Sequence, residues 1–155
     1  MKDTVRELEG IVSLYAKAFD RISEEEFSKK PLPNKWSKKE VLGHLIDSAQ
    51  NNLRRFIAGQ YENNPKIFYE QDFWVQAEGY QQAPAKDVIL FWKLINEKIC
   101  RVLSAMDPAN YSRKADTGKQ SVNLLTLEFL AEDYVKHMKH HINQIIPGSY
   151  DIIYT

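Results

Sequence analysis

The stretch WSKKEVLGHLIDSAQNNLRRFIAG, residues 36–59, decides the fold. Ser37 followed three residues later by Glu40 is the capping-box arrangement, in which a hydroxyl and a carboxylate satisfy the orphan N–H groups that open a helix. Val41, Leu42, Leu45, Ile46, Ala49, Leu53, Phe56 and Ile57 then recur at three- and four-residue spacing, one apolar stripe on a helical surface. Gly59 stands where such a helix should end. The reading is an amphipathic helix over about residues 37–58 with one face in a core.

The same periodicity recurs on either side. Val5, Leu8, Ile11, Val12, Tyr15, Ala18, Phe19 and Ile22 make a stripe over about residues 3–22. Val88 to Leu103 make one over about 85–105, which Asp107-Pro108 ends. A fourth runs over about 125–146 and stops at Pro147-Gly148. Pro31 and Pro33 make the segment between the first two helices a loop. Residues 60–84 mix turn formers with Phe68, Tyr69, Phe73, Trp74 and Tyr80, which reads as a packed lid or crossover with a short helix around Gln71 to Ala77. Four long helices without an alternating strand pattern predict an all-α fold, a four-helix bundle with a long crossover between helices two and three, as a single domain over residues 1–155.

Composition narrows the function. Twenty-one Lys and Arg balance 21 Asp and Glu, so the chain has no electrostatic footprint for nucleic acid or an anionic membrane surface. A single cysteine, Cys100, excludes an intrachain disulfide and a thiolate metal cluster, and reads as a core residue of the third helix. The charged N-terminus MKDTVRELEG lacks the apolar run of a signal peptide, and no stretch approaches a membrane span. A cytoplasmic setting is expected. No phosphate-binding glycine loop or nucleophile elbow is present, and Trp36 and Trp92 read as packing residues.

The histidines carry the chemistry. There are four, and His137, His140 and His141 fall within five residues. At about 100° per residue, His141 lies about 50° and His137 about 90° from the centre of the fourth helix's apolar stripe, whereas His140 lies about 150° away, toward water. Imidazoles at i and i+4 can share one ion, although that spacing equally fits one buried and one solvated histidine. His44, on the second helix, heads a polar stripe through Ser48, Asn51 and Arg55. If the second and fourth helices pack side by side, this rim meets His137 and His141. Three imidazoles with open positions are the layout of a catalytic rather than a structural metal site, with Asp47, Asp72, Glu132 and Asp133 as candidate additional ligands.

The run LPNKWSKKEVLGHLIDSAQNNLRR, residues 32–55, resembles the second-helix signature of the DinB/YfiT-like superfamily. DYVKHMKHHINQI, residues 133–145, is similar to that superfamily's H-x-x-x-H helix with a Gln three residues after the second His. The resemblance implies a DinB-like helical bundle holding one divalent metal ion through His44, His137 and His141, with His140 outside the pattern. Zn²⁺ or Ni²⁺ would suit the site best, with Fe²⁺ and Mn²⁺ also compatible. It further implies an enzyme that activates a low-molecular-weight thiol or water for transfer to a small electrophile, working as a homodimer on a small-molecule substrate. The alternatives are a non-catalytic metal- or ligand-binding bundle and a metal-dependent hydrolase. Arg55, with Arg54 beside it, and Trp74 are the candidate contacts for substrate or thiol cofactor.

Overall fold

The computed structural model describes residues 1–154. Six α-helices run in the order α1 Lys2–Phe19, α2 Glu24–Ser28, α3 Lys38–Ala58, α4 Gln71–Glu78, α5 Ala85–Ala105 and α6 Leu127–Ile145. Ser37 caps α3 through the complete capping box, its Oγ accepting from the Glu40 N–H while the Glu40 carboxylate accepts from the Ser37 N–H at 2.8 Å. Thr126 caps α6 with one half of that arrangement, its hydroxyl accepting from the Phe129 N–H at 3.1 Å, since Phe129 has no carboxylate to reciprocate. That sets the start of the last helix at Leu127.

The four long helices form a bundle in which α5 packs against both α1 and α3, and α6 packs against α3 and, less extensively, α1, so that α1–α5–α3–α6 is the order around the core. The apolar stripes meet there. Leu8, Phe19, Leu42, Leu45, Phe56, Trp92, Ile99, Met138 and Ile142 are all fully buried, and burying such side chains is worth about 1.5–3 kcal/mol apiece. One polar joint crosses this core between diagonal helices: the Tyr134 hydroxyl donates to Asn96 Oδ1 at 2.6 Å, and Asn96 donates to the Trp92 carbonyl at 2.7 Å.

The connections add structure that periodicity does not announce. The segment expected to be a plain loop holds the single-turn helix α2, capped by Ser23, and Glu24 at its start reaches across the molecule. The Lys39 ammonium, almost fully buried, pairs with Glu24 and donates to the Ala83 carbonyl at 2.7 Å, while Glu24 Oε2 accepts from the Ala85 N–H at 2.8 Å. One ion pair thus ties α2, α3 and the start of α5. The long crossover, residues 59–84, carries α4 close to where the sequence places a short helix.

A small antiparallel hairpin, β1 Lys114–Asp116 and β2 Leu124–Thr126, precedes α6, although an all-helical reading anticipates no strand. The crossover borders it: the Ile67 N–H donates to the Asp116 carbonyl at 2.9 Å and the Asp116 N–H to the Pro65 carbonyl at 3.0 Å. Three-residue strands carry too little alternation to be read from sequence, and this pair is held by a distant segment. Among the described residues no helix is long and apolar enough to cross a membrane.

Candidate functional site

α3 and α6 are neighbours in the bundle, and the rims that carry their histidines face each other. His44 is buried on α3, and His137 and His141 are half-buried on α6. One ring nitrogen from each lies within 4.8 Å of the others. His44 Nε2 and His137 Nε2 are 3.2 Å apart, and two nitrogens held about 2.0–2.1 Å from one tetrahedral ion stand about 3.3 Å apart.

The opposite ring nitrogens explain which lone pairs converge. His141 Nδ1 meets Gln144 Oε1 at 2.9 Å. A carbonyl oxygen only accepts, so Nδ1 carries the proton and Nε2 presents a lone pair. His137 Nδ1 meets Ser48 Oγ at 3.5 Å. His44 Nδ1 is buried without a partner. Lone pairs gathered this closely repel one another unless a proton or a cation sits between them, and the donor set of three imidazoles suits a divalent transition metal.

Electrostatics keep the rings in the metal-binding form. Burial, and then the neighbouring His141, push His44 down to about 3. Burial and the other imidazoles hold His137 well below the ordinary histidine value, and burial lowers His141 although Gln144 opposes it. All three are neutral at pH 7, so no proton has to leave before a cation binds.

His140 does not join the cluster. Helical spacing points it to water, whereas it is half-buried, its ring 5.6 Å from that of Tyr154 and its Nε2 3.3 Å from Gln144 Nε2. The C-terminal segment causes this by folding back along α6. Asn143 grips it by donating to the Tyr150 carbonyl and accepting from the Tyr150 N–H, and Tyr154 lands against His137 with its hydroxyl donating to Asp133 at 3.1 Å. Nothing in the sequence pattern of the tail marks it as a wall of the site.

The candidate carboxylate ligands lie elsewhere. Asp72 and Glu132 are exposed, and Asp133 is occupied by Tyr154. Asp47 is fully buried, accepts from the Tyr80 hydroxyl at 2.6 Å, and is pushed up to about 7 by burial in spite of that bond.

Arg55 and Trp74 are not placed on the imidazoles. Arg55, read as a rim charge, is buried, with Nε and Nη2 both donating to the Ile67 carbonyl at 3.1 and 2.7 Å. Covering by the crossover is what removes it from water. Trp74 packs edge-on against Tyr69 at 5.7 Å. The tryptophan that does reach the histidines is Trp36, its ring 5.2 Å from that of His44. The sequence reading of Trp36 as packing missed this, although its place one residue before the Ser37 cap puts it two turns from His44. Trp36 and His141 share a cleft of about 790 Å³ that Lys29, Lys35, Asp72 and Gln144 also line, a volume that suits a small organic ligand.

Known proteins share this arrangement of helices. YfiT from Bacillus subtilis, described as a probable metal-dependent hydrolase with an unusual four-helix bundle topology, is 21% identical and superposes with a TM-score of 0.83 over 93% of this chain and 82% of that one. Two structures of the mycothiol-dependent maleylpyruvate isomerase, one of them a histidine-to-alanine mutant, give TM-scores of 0.71 and 0.74 at 10% and 7% identity. Each covers 91% of this chain and 59% of the isomerase, so the chain spans under two-thirds of that longer protein. At these identities the likeness is one of fold. No curated protein matches the chain by sequence. The family model of the DinB superfamily matches residues 7–145, a span that contains all of α3 and α6 with their three convergent histidines, and the chain belongs to that superfamily.

Proposed function

We propose that this protein is a metal-dependent enzyme in which His44, His137 and His141 hold one divalent ion, with Zn²⁺ or Ni²⁺ favoured and Fe²⁺ or Mn²⁺ compatible. The observation that carries the reading is the convergence of three neutral imidazole nitrogens within 4.8 Å beside an open cleft. An ion bound there would act as a Lewis acid, lowering the pKa of a water or a low-molecular-weight thiol toward neutrality and so supplying a nucleophile for a small electrophile.

The chain's own groups define the rest. Gln144 and Ser48 fix the orientation of two imidazole rings from behind. Trp36 gives the cleft an apolar wall over His44, and the exposed ammonium groups of Lys29 and Lys35 on its rim favour a substrate or thiol that carries a carboxylate. Transfer of a thiol is the preferred chemistry, in keeping with the thiol-dependent isomerase of the same fold. A hydrolytic reading has its own support in Asp133, which lies one helical turn before His137 and is a carboxylate able to accept a proton from water once Tyr154 releases it. The partner in either case is a small molecule rather than nucleic acid or membrane, and we place the working protein in the cytoplasm as a homodimer.

Elemental analysis of untagged protein tests the ion. Turnover is tested by incubating metal-loaded protein with a panel of low-molecular-weight thiols and electrophiles beside the His44→Ala variant. Equal rates in the two proteins refute a catalytic site and leave a metal- or ligand-binding bundle. Turnover that needs no thiol and falls in Asp133→Asn selects hydrolysis.

A further inference from the structure

Behind His137 runs a line of buried polar side chains that neither the core nor the cleft requires. Ser48 Oγ lies 3.5 Å from His137 Nδ1. Asn52 Nδ2 donates to the Ser48 carbonyl at 3.0 Å and to Ser48 Oγ at 3.3 Å, and Asn52 Oδ1 accepts from Arg55 Nη1 at 3.1 Å. Arg55 then forks onto the Ile67 carbonyl of the crossover. Ser48, Asn52 and Arg55 are 3%, 7% and 8% exposed, so water does not compete with these bonds.

A guanidinium in such a place is costly unless it serves a purpose, because its partners are neutral oxygens and no carboxylate reaches it at salt-bridge distance among the described residues. Its chemistry supplies the purpose. Arginine can only donate, so the Asn52 oxygen must face Arg55 and the Asn52 NH₂ must face Ser48. Ser48 Oγ is thereby made an acceptor. An Nδ1–H on His137 then has an acceptor in Ser48 Oγ at 3.5 Å, and its Nε2 is free on the side that faces His44.

We infer that Ser48, Asn52 and Arg55 are positioning residues whose directed hydrogen bonds select the Nδ1–H tautomer of His137 and anchor that ring to the crossover at Ile67. The inference rests on the metal-site reading above, but its core concerns a tautomer that exists with or without an ion. Partners of this kind typically contribute 10–100-fold to metal affinity.

Two measurements test it on the full-length protein. Long-range ¹H–¹⁵N NMR of metal-free protein reads the tautomer directly: His137 is expected as Nδ1–H in the wild type and in Ser48→Thr, which keeps the oxygen, and as a mixture or the Nε2–H form in Ser48→Ala. Competition of Co²⁺ against a chromophoric chelator is expected to show about 10–100-fold weaker binding in Ser48→Ala, with Ser48→Thr close to wild type and Arg55→Lys intermediate. Wild type that binds no Co²⁺ refutes the metal site, while the tautomer comparison still decides the positioning role. An unchanged His137 tautomer in Ser48→Ala, whatever its melting temperature or Co²⁺ affinity, overturns the inference.

Discussion

Replacing Gly43 by alanine should destabilise this protein even though it lies in mid-helix, where alanine is normally the better residue. A Cβ built on Gly43 would stand 2.1, 2.3 and 2.6 Å from Cδ2, Cγ and Cε2 of Tyr80, where ordinary contacts begin at 3.4 Å. The ring cannot yield freely. It is 5% exposed, and its hydroxyl donates to Asp47, a fully buried carboxyl whose second oxygen already lacks a partner. Overpacking of this kind costs about 1–3 kcal/mol, and stranding a buried acceptor costs about 1–3 kcal/mol more. The helix-propensity gain of Gly→Ala returns about 1 kcal/mol. The clash wins, with a net loss of about 3 kcal/mol, and for a chain of this size that lowers the melting temperature by about 6–12 °C. Thermal unfolding followed by circular dichroism on metal-free protein measures this, since a bound ion would add its own stabilisation. Tyr80→Ala in the same background should remove most of the penalty, giving strongly non-additive effects. A Gly43→Ala protein that melts at or above the wild-type temperature would refute the steric argument.

His137→Ala should lose most of its affinity for a divalent ion while His140→Ala keeps it, as read by chelator competition; the reverse result would move the site. Glu24 is held down to about 2 by its bond to Lys39 and then by the Ala85 N–H, from an ordinary 4.5. Its folded-state pKa is depressed, so its stabilisation is fully present above about pH 4.5 and is lost as pH falls toward 2. Glu24→Gln should flatten that part of the acid-unfolding curve, and an unchanged curve would exclude the ion pair as its cause. Cys100 is buried on α5, and burial, with Glu9 next, pushes its thiol up to about 12. A chromogenic disulfide reagent at pH 8 should titrate it only after denaturant is added, and rapid reaction with native protein would contradict its packing.

What could be read in advance was what local chemistry determines. The Ser37–Glu40 box and the helix that follows are legible because cap and stripe lie within one segment, and so is the short helix α4. The single turn of α2 has a local signal, Ser23 ahead of three glutamates, but Pro31 and Pro33 dominate the reading of that stretch. Arg55 could not be placed correctly. Helical spacing puts it on a polar stripe, and whether such a stripe meets water or the crossover is decided by residues 65–67, which pair with β1 across the molecule. The exclusion of His140 from the cluster is legible but its partial burial is not, because the tail that brings Tyr154 to it follows α6 and leaves no periodic trace.

The places where pattern reading fails are also the places that point to function. A bundle assembled only for stability would complete the facing rims of α3 and α6 with apolar side chains, since each buried imidazole gives up hydration for little packing gain. Here the rims carry His44, Ser48 and Arg55 against Asp133, His137 and His141, and they keep His44 Nδ1 unsatisfied in the interior. The lowered pKa values of the three histidines measure the same tension, because each is held neutral against its ordinary tendency to take up a proton near pH 6.5. Local conflict concentrated in one layer of an otherwise consistent fold is the pattern expected of a functional site, and it coincides here with the proposed metal centre. In the proposed reading, a cation shared by the three rings would relieve it, turning three converging lone pairs from a repulsion into a coordination set.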